Sequence, residues 1–426
     1  MRLPETFLYG ATIGAHQVEG EDFESDWWRW EQRPSRIRDG ETSERGAGHF
    51  TRYRADLELA RKLGHNAVCI ALSWPRIHTD ADTFDHNALD HYKQVLEHAH
   101  ACSLTPVCVL HEVTQPHWFH GAGGWCAPDS AAIFQRYTQR VMDALGNSCQ
   151  RWIPIYEPEF WLTEVYRERH WPGWEKSGCL AYRKALKHLA AAQRLAATTI
   201  HEAEPDAKVG LSIRGAVVAP MDPHSPWDAR MARREQHRLN LRFMETAASC
   251  KVGDDQFMDF VGLQFSGALR VRFAPLYLRG GCALPVDAAG NQSSVDAALP
   301  AADGLDEVLA VFASLNTPLH LTLNGACDDD ESRCRFLRDH FQRLLHNIQH
   351  YEEGLQVKAL FYTSLLDGFE WQHGYTRRCG LVHVKHPTLT RTPNPSAWFF
   401  KDIADHGCIR EGIAEKFCND NQGNPQ

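Results

Sequence analysis

The chain has 426 residues, 43% of them apolar and 23% charged, with a formal charge of −9. That composition excludes a fibre or a disordered chain, and an acidic balance without a basic stripe argues against nucleic acid and anionic membrane as partners. The start, MRLPETFLYGATIGAHQVEG, has no basic segment followed by a long apolar run, so neither a signal peptide nor a membrane anchor is expected. The 13 cysteines are odd in number and unpaired in spacing, and Cys69 and Cys108 sit in apolar runs. They read as free core thiols in a reducing compartment, the cytoplasm.

Eight short apolar runs recur along the chain: Phe7–Ile13, Asn66–Trp74, Thr105–Glu112, Arg151–Glu157, Lys208–Arg214, Asp259–Phe265, Pro318–Asn324 and Lys358–Leu366. Runs this apolar suit strands covered on both faces, as in a parallel sheet. Helical stripes lie between them. Tyr53, Leu57, Ala60 and Leu63 form one, closed by Gly64; Phe134, Tyr137, Val141 and Leu145 form another, with Asp129 as N-cap and Gly146 as the stop. Eight strand–helix units predict one (β/α)8 TIM barrel spanning residues 1–426. Gly280–Gly304 reads as a long rim loop, and Gly407–Gln426 as a frayed tail.

The fourth run ends in Tyr156-Glu157-Pro158, and Pro158 cannot continue a ladder. Glu157 is therefore expected at the carboxyl end of a strand, the rim on which such barrels build their sites. Neighbouring Tyr156, Phe160 and Trp161 would desolvate the carboxyl and raise its pKa, which suits a proton donor. The plainer alternative is a rim glutamate paired with an arginine. His111, Glu112, His117 and His120 cluster in sequence, but strand alternation sends His111 and Glu112 to opposite faces, so no metal site is expected. His91, His98 and His100, with Glu97, read as a solvated helix face. No glycine-rich phosphate loop follows a strand, and no cofactor is expected.

Taken together, several rim motifs resemble family 1 β-glycosidases. They are Gly10-Ala-Thr-Ile-Gly-Ala-His-Gln17-Val-Glu-Gly20, Leu72-Ser-Trp-Pro-Arg-Ile77, Gly123-Gly-Trp125, Trp152 to Pro158, Asp259-Phe-Val-Gly-Leu263, Thr322 to Gly325, and Ser364 to Trp371 followed by Gly374-Tyr375 and Gly380-Leu-Val382. The resemblance runs from about Leu3 to about Ile403. It implies a small-molecule glycoside or sugar as partner and hydrolysis with retention, by two carboxylates about 5–5.5 Å apart.

By motif position Glu157 matches the family's acid/base. The nucleophile motif, Thr-Glu-Asn-Gly in the family, reads Thr322-Leu323-Asn324-Gly325 here. The arginine and tyrosine that serve the family's nucleophile are matched by Cys69 and Ser266. Loss of all three together avoids an unpaired buried charge, and it implies a neutral, smaller-lined floor at the site. Gln17, Glu370 and Trp371 match residues that hold sugar hydroxyls. Glu112 stands for a histidine, Tyr156 for an asparagine and Thr363 for a stacking tryptophan. Glu112 is expected to accept bonds from sugar hydroxyls. On adjacent strands, about 4.8 Å apart, Glu112 and Glu157 would also couple, one ionised and one protonated. Trp27, Trp28, Trp30, Trp161, Trp171 and Trp174 line rim loops, either as an aglycone wall or as loop packing. Two function classes follow: a glycoside-acting enzyme using Glu157 without the covalent intermediate, or an inactive protein that binds a sugar in the old pocket.

Overall fold

The computed structural model describes residues 2–173, 178–274, 283–286, 302–325, 329–351 and 354–418. Eight parallel strands form the barrel: Leu8–Ile13, Ala67–Ala71, Thr105–His111, Arg151–Ile155, Lys208–Pro220, Phe260–Phe273, Leu319–Asn324 and Val357–Thr363. Each pairs with the next, and the eighth pairs with the first, so the sheet closes. All eight expected runs are strands. The fifth and sixth run six and eight residues beyond their expected ends at Arg214 and Phe265. The two extensions stay paired as far as Pro220 and Val271. Ala283–Val286 then pairs antiparallel with Arg270–Phe273. The expected loop at Gly280–Gly304 thus contains a strand and ends in the helix Asp303–Ala313, and the rest of it lies outside the described residues.

Burial separates the barrel's two faces. Inside, Ala67, Cys69, Val107, Val109, Ile153, Phe260, Ala359 and Phe361 pack as one cluster. Outside, alternate residues such as Leu211, Leu263, Leu321 and Leu360 join the larger core beneath the helices. The helix His49–Lys62 buries Tyr53, Leu57 and Ala60 as its stripe requires, and Gly64 follows it at φ 80°, where a side chain would be strained. Asp129 occupies the N-cap of Ser130–Leu145 but makes no side-chain cap bond, because its backbone is already near-helical (φ −94°, ψ 0°). Gly146 leads into a single 3₁₀ turn rather than a left-handed stop.

Three other expectations change. On the helix His86–Ala101, His100 is solvated and His98 pairs with Glu58, but His91 stacks on Phe50 at 3.8 Å, and burial lowers its pKa to about 4. Cys69, Cys108, Cys149 and Cys334 are buried free thiols, Cys179 is exposed, and Cys379, in the loop after the eighth strand, is disulfide-bonded. The tail is helical over Ile413–Cys418, with Phe417 packed on Phe399; residues 419–426 lie outside the described residues. Among the described residues no helix is long and apolar enough to cross a membrane.

Candidate active site

Strict alternation fails where the site begins. Val107 and Val109 face inward, so His111 should too, yet His111 lies outside among Trp74, Trp125 and Trp161 at 5.5–5.9 Å. Burial there lowers its pKa to about 3, leaving a neutral ring. Its register partner Ile155 also joins the outer core, although Ile153 faces inward. The one-residue slip brings the next residues, Glu112 and Tyr156, to the barrel mouth. His111 and Glu112 do take opposite faces. Among the described residues no three His, Cys, Asp or Glu are grouped to hold a metal ion.

Glu157 follows in a left-handed conformation (φ 44°, ψ 51°), which is costly for a non-glycine residue. Pro158 opens the short helix behind it, and Glu157 N–H donates to Ser212 Oγ at 3.2 Å. Its Oε1 accepts from Arg214 Nε at 3.1 Å, both side chains being buried. The plainer alternative, a rim glutamate paired with an arginine, is thus the contact observed. The Arg214 guanidinium also lies over the Phe160 ring, 3.4 Å from its centroid.

Glu112 is the carboxyl whose proton is held more tightly. Burial, then the charge of Glu157, raises its pKa to about 7. Glu112 and Gln17 close around Gly14. A Cβ at Gly14 would lie 2.3 Å from Gln17 Oε1 and 3.0 Å from both Glu112 oxygens. Gln17 Nε2 donates to Glu370 Oε2 at 3.0 Å, and Gln17 O accepts from Phe369 N–H at 2.9 Å, tying the first rim loop to the eighth. Gly14→Ala is therefore expected to weaken sugar binding at least tenfold with little change in unfolding midpoint, because the Cβ meets only side-chain ends. Calorimetry and a melting curve on the same sample check it.

Trp371 stands in an aromatic cluster, 4.8 Å from Trp27, 5.6 Å from Trp171 and 5.8 Å from His16, with which it stacks. Although burial alone would lower it, the His16 pKa rises to about 9, because Asp22 and Glu31 flank its ring nitrogens at 3.5 Å. Tyr156 O–H donates to Gln264 Oε1. Trp161 donates to Val113 O beside His111, Trp27 and Trp30 are buried, Trp28 is half-buried, and Trp174 lies outside the described residues. Thr363 Oγ1 meets Thr12 Oγ1 at 3.3 Å, where the resemblance would have a tryptophan.

Leu323 is not part of the expected floor. It is buried in the outer core with its register neighbours Phe265 and Tyr362, and Phe265 lies 5.6 Å from His340 of the outer helix Asp330–Tyr351. Strand alternation turns Thr322 and Asn324 inward instead. Cys69 does face inward, and burial and Glu112 push its thiol pKa up. The Ser266 side chain lies outside those described. Arg214, Ser212, Gln264 and Gly14 were not singled out from sequence. The signal for Arg214 was present: a charge closing an apolar run on the strand next to Glu157.

Carboxylates, amides and tryptophan gathered at the carboxyl ends of a closed parallel barrel define a (β/α)8 barrel with an acid-based site at its mouth. A family model described as glycosyl hydrolase family 1 matches residues 1–260 and 286–408, and the chain belongs to that family. Membership implies a site for a sugar or glycoside. The β-glucosidase A of Thermotoga maritima is 26% identical over 462 aligned residues, covering 96% of this chain and 99% of that protein. The β-glucosidase of an Agrobacterium species is 25% identical, covering 95% of each. A solved β-glycosidase from Pyrococcus horikoshii superposes with a TM-score of 0.87 at 24% identity over 99% of both chains. The Thermotoga maritima β-glucosidase in complex with deoxynojirimycin does so with a TM-score of 0.83 at 24% identity, over 96% of this chain and all of that one.

Proposed function

We propose that this chain acts on a β-glycoside or related sugar compound, with Glu157 as general acid/base and without a glycosyl-enzyme. The single observation supporting the acid/base role is the carboxyl pair: Glu157 strained into the mouth beside Arg214, and Glu112 lifted to about 7 next to it. One proton is shared between two carboxylates at neutral pH. Cleavage leaves the glycone with the hydroxyl of water and the leaving oxygen with a proton; the pair supplies that proton and recovers one from the water. Gln17, Glu370 and Trp371 hold the glycone. The absence of a covalent step rests on Leu323, which aligns with the family's nucleophile.

The test is a panel of aryl and alkyl β-glycosides, followed for release, stereochemistry and pH dependence. Release that falls as pH rises through about 7 supports the reading, since the proton on Glu112 is lost there. Flat inactivity with measurable sugar binding supports the second reading, a sugar-binding protein. The observation favouring that one is the buried Glu157–Arg214 ion pair, which also suits a purely structural glutamate.

Glu112 further sets a pH signature of stability. Its proton is held to about pH 7 in the folded chain and to about 4.5 when unfolded. Between those values the folded state binds more protons, so stability falls as pH rises through the window, and the deficit is complete above it. Glu112→Gln keeps a neutral group at every pH. It is expected to raise the unfolding midpoint at pH 8 and leave it nearly unchanged at pH 4, which paired melting curves check.

A further inference from the structure

A second cavity, of about 250 Å³, opens outside the barrel mouth, between the segment Thr163–Glu168, the start of the helix Cys179–Ala203 and the helix Pro226–Asn240. Its wall carries five arginines, Arg167, Arg183, Arg234, Arg238 and Arg242, against one carboxylate, Glu235. In a chain of net charge −9, that is a local reversal of sign.

Three of these cations are fixed from behind. Glu235 accepts from Arg167 Nη1 at 3.1 Å and from Arg238 Nε at 2.6 Å. Arg238 Nη1 also donates to Thr163 Oγ1 at 2.7 Å. Glu159 accepts from Arg242 through two bonds, at 2.9 and 3.1 Å. Two carboxylates thus orient three guanidinium groups, with one positive charge left over. Arg183 and Arg234 are exposed and have no ion pair among the described residues; with Glu168 also acting on Arg238, the five arginines keep an excess of two positive charges. Arg167 Nε is buried and bonded to no group among the described residues. Gly178, at the mouth of the helix Cys179–Ala203, provides no side-chain cap for that helix's first amide groups, so their partial positive charge faces the same space.

We infer that this cavity binds a phosphate group, either free phosphate or the phosphoryl end of a small phosphate ester. Planar guanidinium forks held in place match tetrahedral oxyanions by paired hydrogen bonds, and pre-orientation lowers the entropy lost on binding. The volume exceeds that of a bare phosphate and leaves room for a small organic substituent. Glu159 lies two residues from Glu157, yet its bonds to Arg242 turn it away from the mouth, so this site is separate from the sugar site and does not depend on that assignment.

The test is calorimetric titration of the full chain at constant ionic strength with inorganic phosphate, glucose 6-phosphate and, as control, glucose. The expected result is saturable one-to-one binding of a phosphorylated probe, at least tenfold weaker in Arg183→Ala/Arg234→Ala, whose exposed substitutions spare the fold. Tighter binding of glucose 6-phosphate than of phosphate identifies an ester site, and the reverse order identifies a free-phosphate site. Absence of saturable binding by either probe, or equal binding in the double variant with an unchanged melting curve, overturns the inference.

Discussion

Glu157→Gln is expected to lower turnover of aryl β-glycosides by roughly 10²–10⁴-fold, the usual contribution of a positioned acid/base group. Glutamine preserves the shape and can still accept a bond from Arg214, but it can neither give nor take a proton. It also removes one charge of the buried Glu157–Arg214 pair, so some loss of stability accompanies the substitution whichever role Glu157 has. The two effects separate by measurement. Loss of the proton function lowers kcat and leaves sugar affinity by calorimetry nearly unchanged, whereas a purely structural glutamate would lower kcat only in proportion to lost affinity. A pH profile adds a second mark. In the wild type the rate should fall above pH 7 as Glu112 deprotonates, and in the variant the limb of any residual rate should move to lower pH, because the Glu157 charge no longer raises Glu112.

Leu323→Glu is expected to give no efficient hydrolysis and to lower the unfolding midpoint by several degrees. A new glutamate at the aligned position would lack the arginine and tyrosine that serve the family's nucleophile, since Cys69 and Ser266 stand there. Leu323 itself lies between Phe265 and Tyr362 under the outer helices, 1% exposed. A carboxylate placed there is desolvated with no described cation assigned to it, so it either neutralises or destabilises the chain by several kcal/mol, roughly 3–5. Colorimetric assay and a melting curve on the purified variant check both halves. Robust hydrolysis with an unchanged midpoint would mean that the end of the seventh strand turns this residue to the sugar.

The barrel was legible because its strands are buried on both faces, and eight apolar runs mark them whatever their neighbours. Strand ends were less legible. Lys208 and Asp259 began runs whose observed strands continue to Pro220 and Phe273, because two extended segments pair with each other beyond the rim. Glu157 could be placed from Pro158 alone, and Gln17 and Glu370, both matched by motif to sugar-holding residues, hydrogen-bond to each other. The electrostatics of the pair could not be read in advance. Arg214 is 57 positions from Glu157 in sequence, and the rise of the Glu112 carboxyl comes from burial and the Glu157 charge brought next to it by folding. Strict alternation also misled at two places. It hides the one-residue slip that puts His111 outside and Glu112 at the mouth, and Leu323 had been assigned by motif to a face that its own strand turns away from.

The most direct test follows an aryl β-glycoside carrying a 2-fluoro group, chosen to slow breakdown of any sugar–enzyme bond. Phenol release and the intact mass of the chain are read from the same sample. The account predicts phenol release with no change in chain mass, and loss of that release in Glu157→Gln. A one-to-one sugar adduct on the chain would contradict it, by revealing a nucleophile that Leu323 cannot supply.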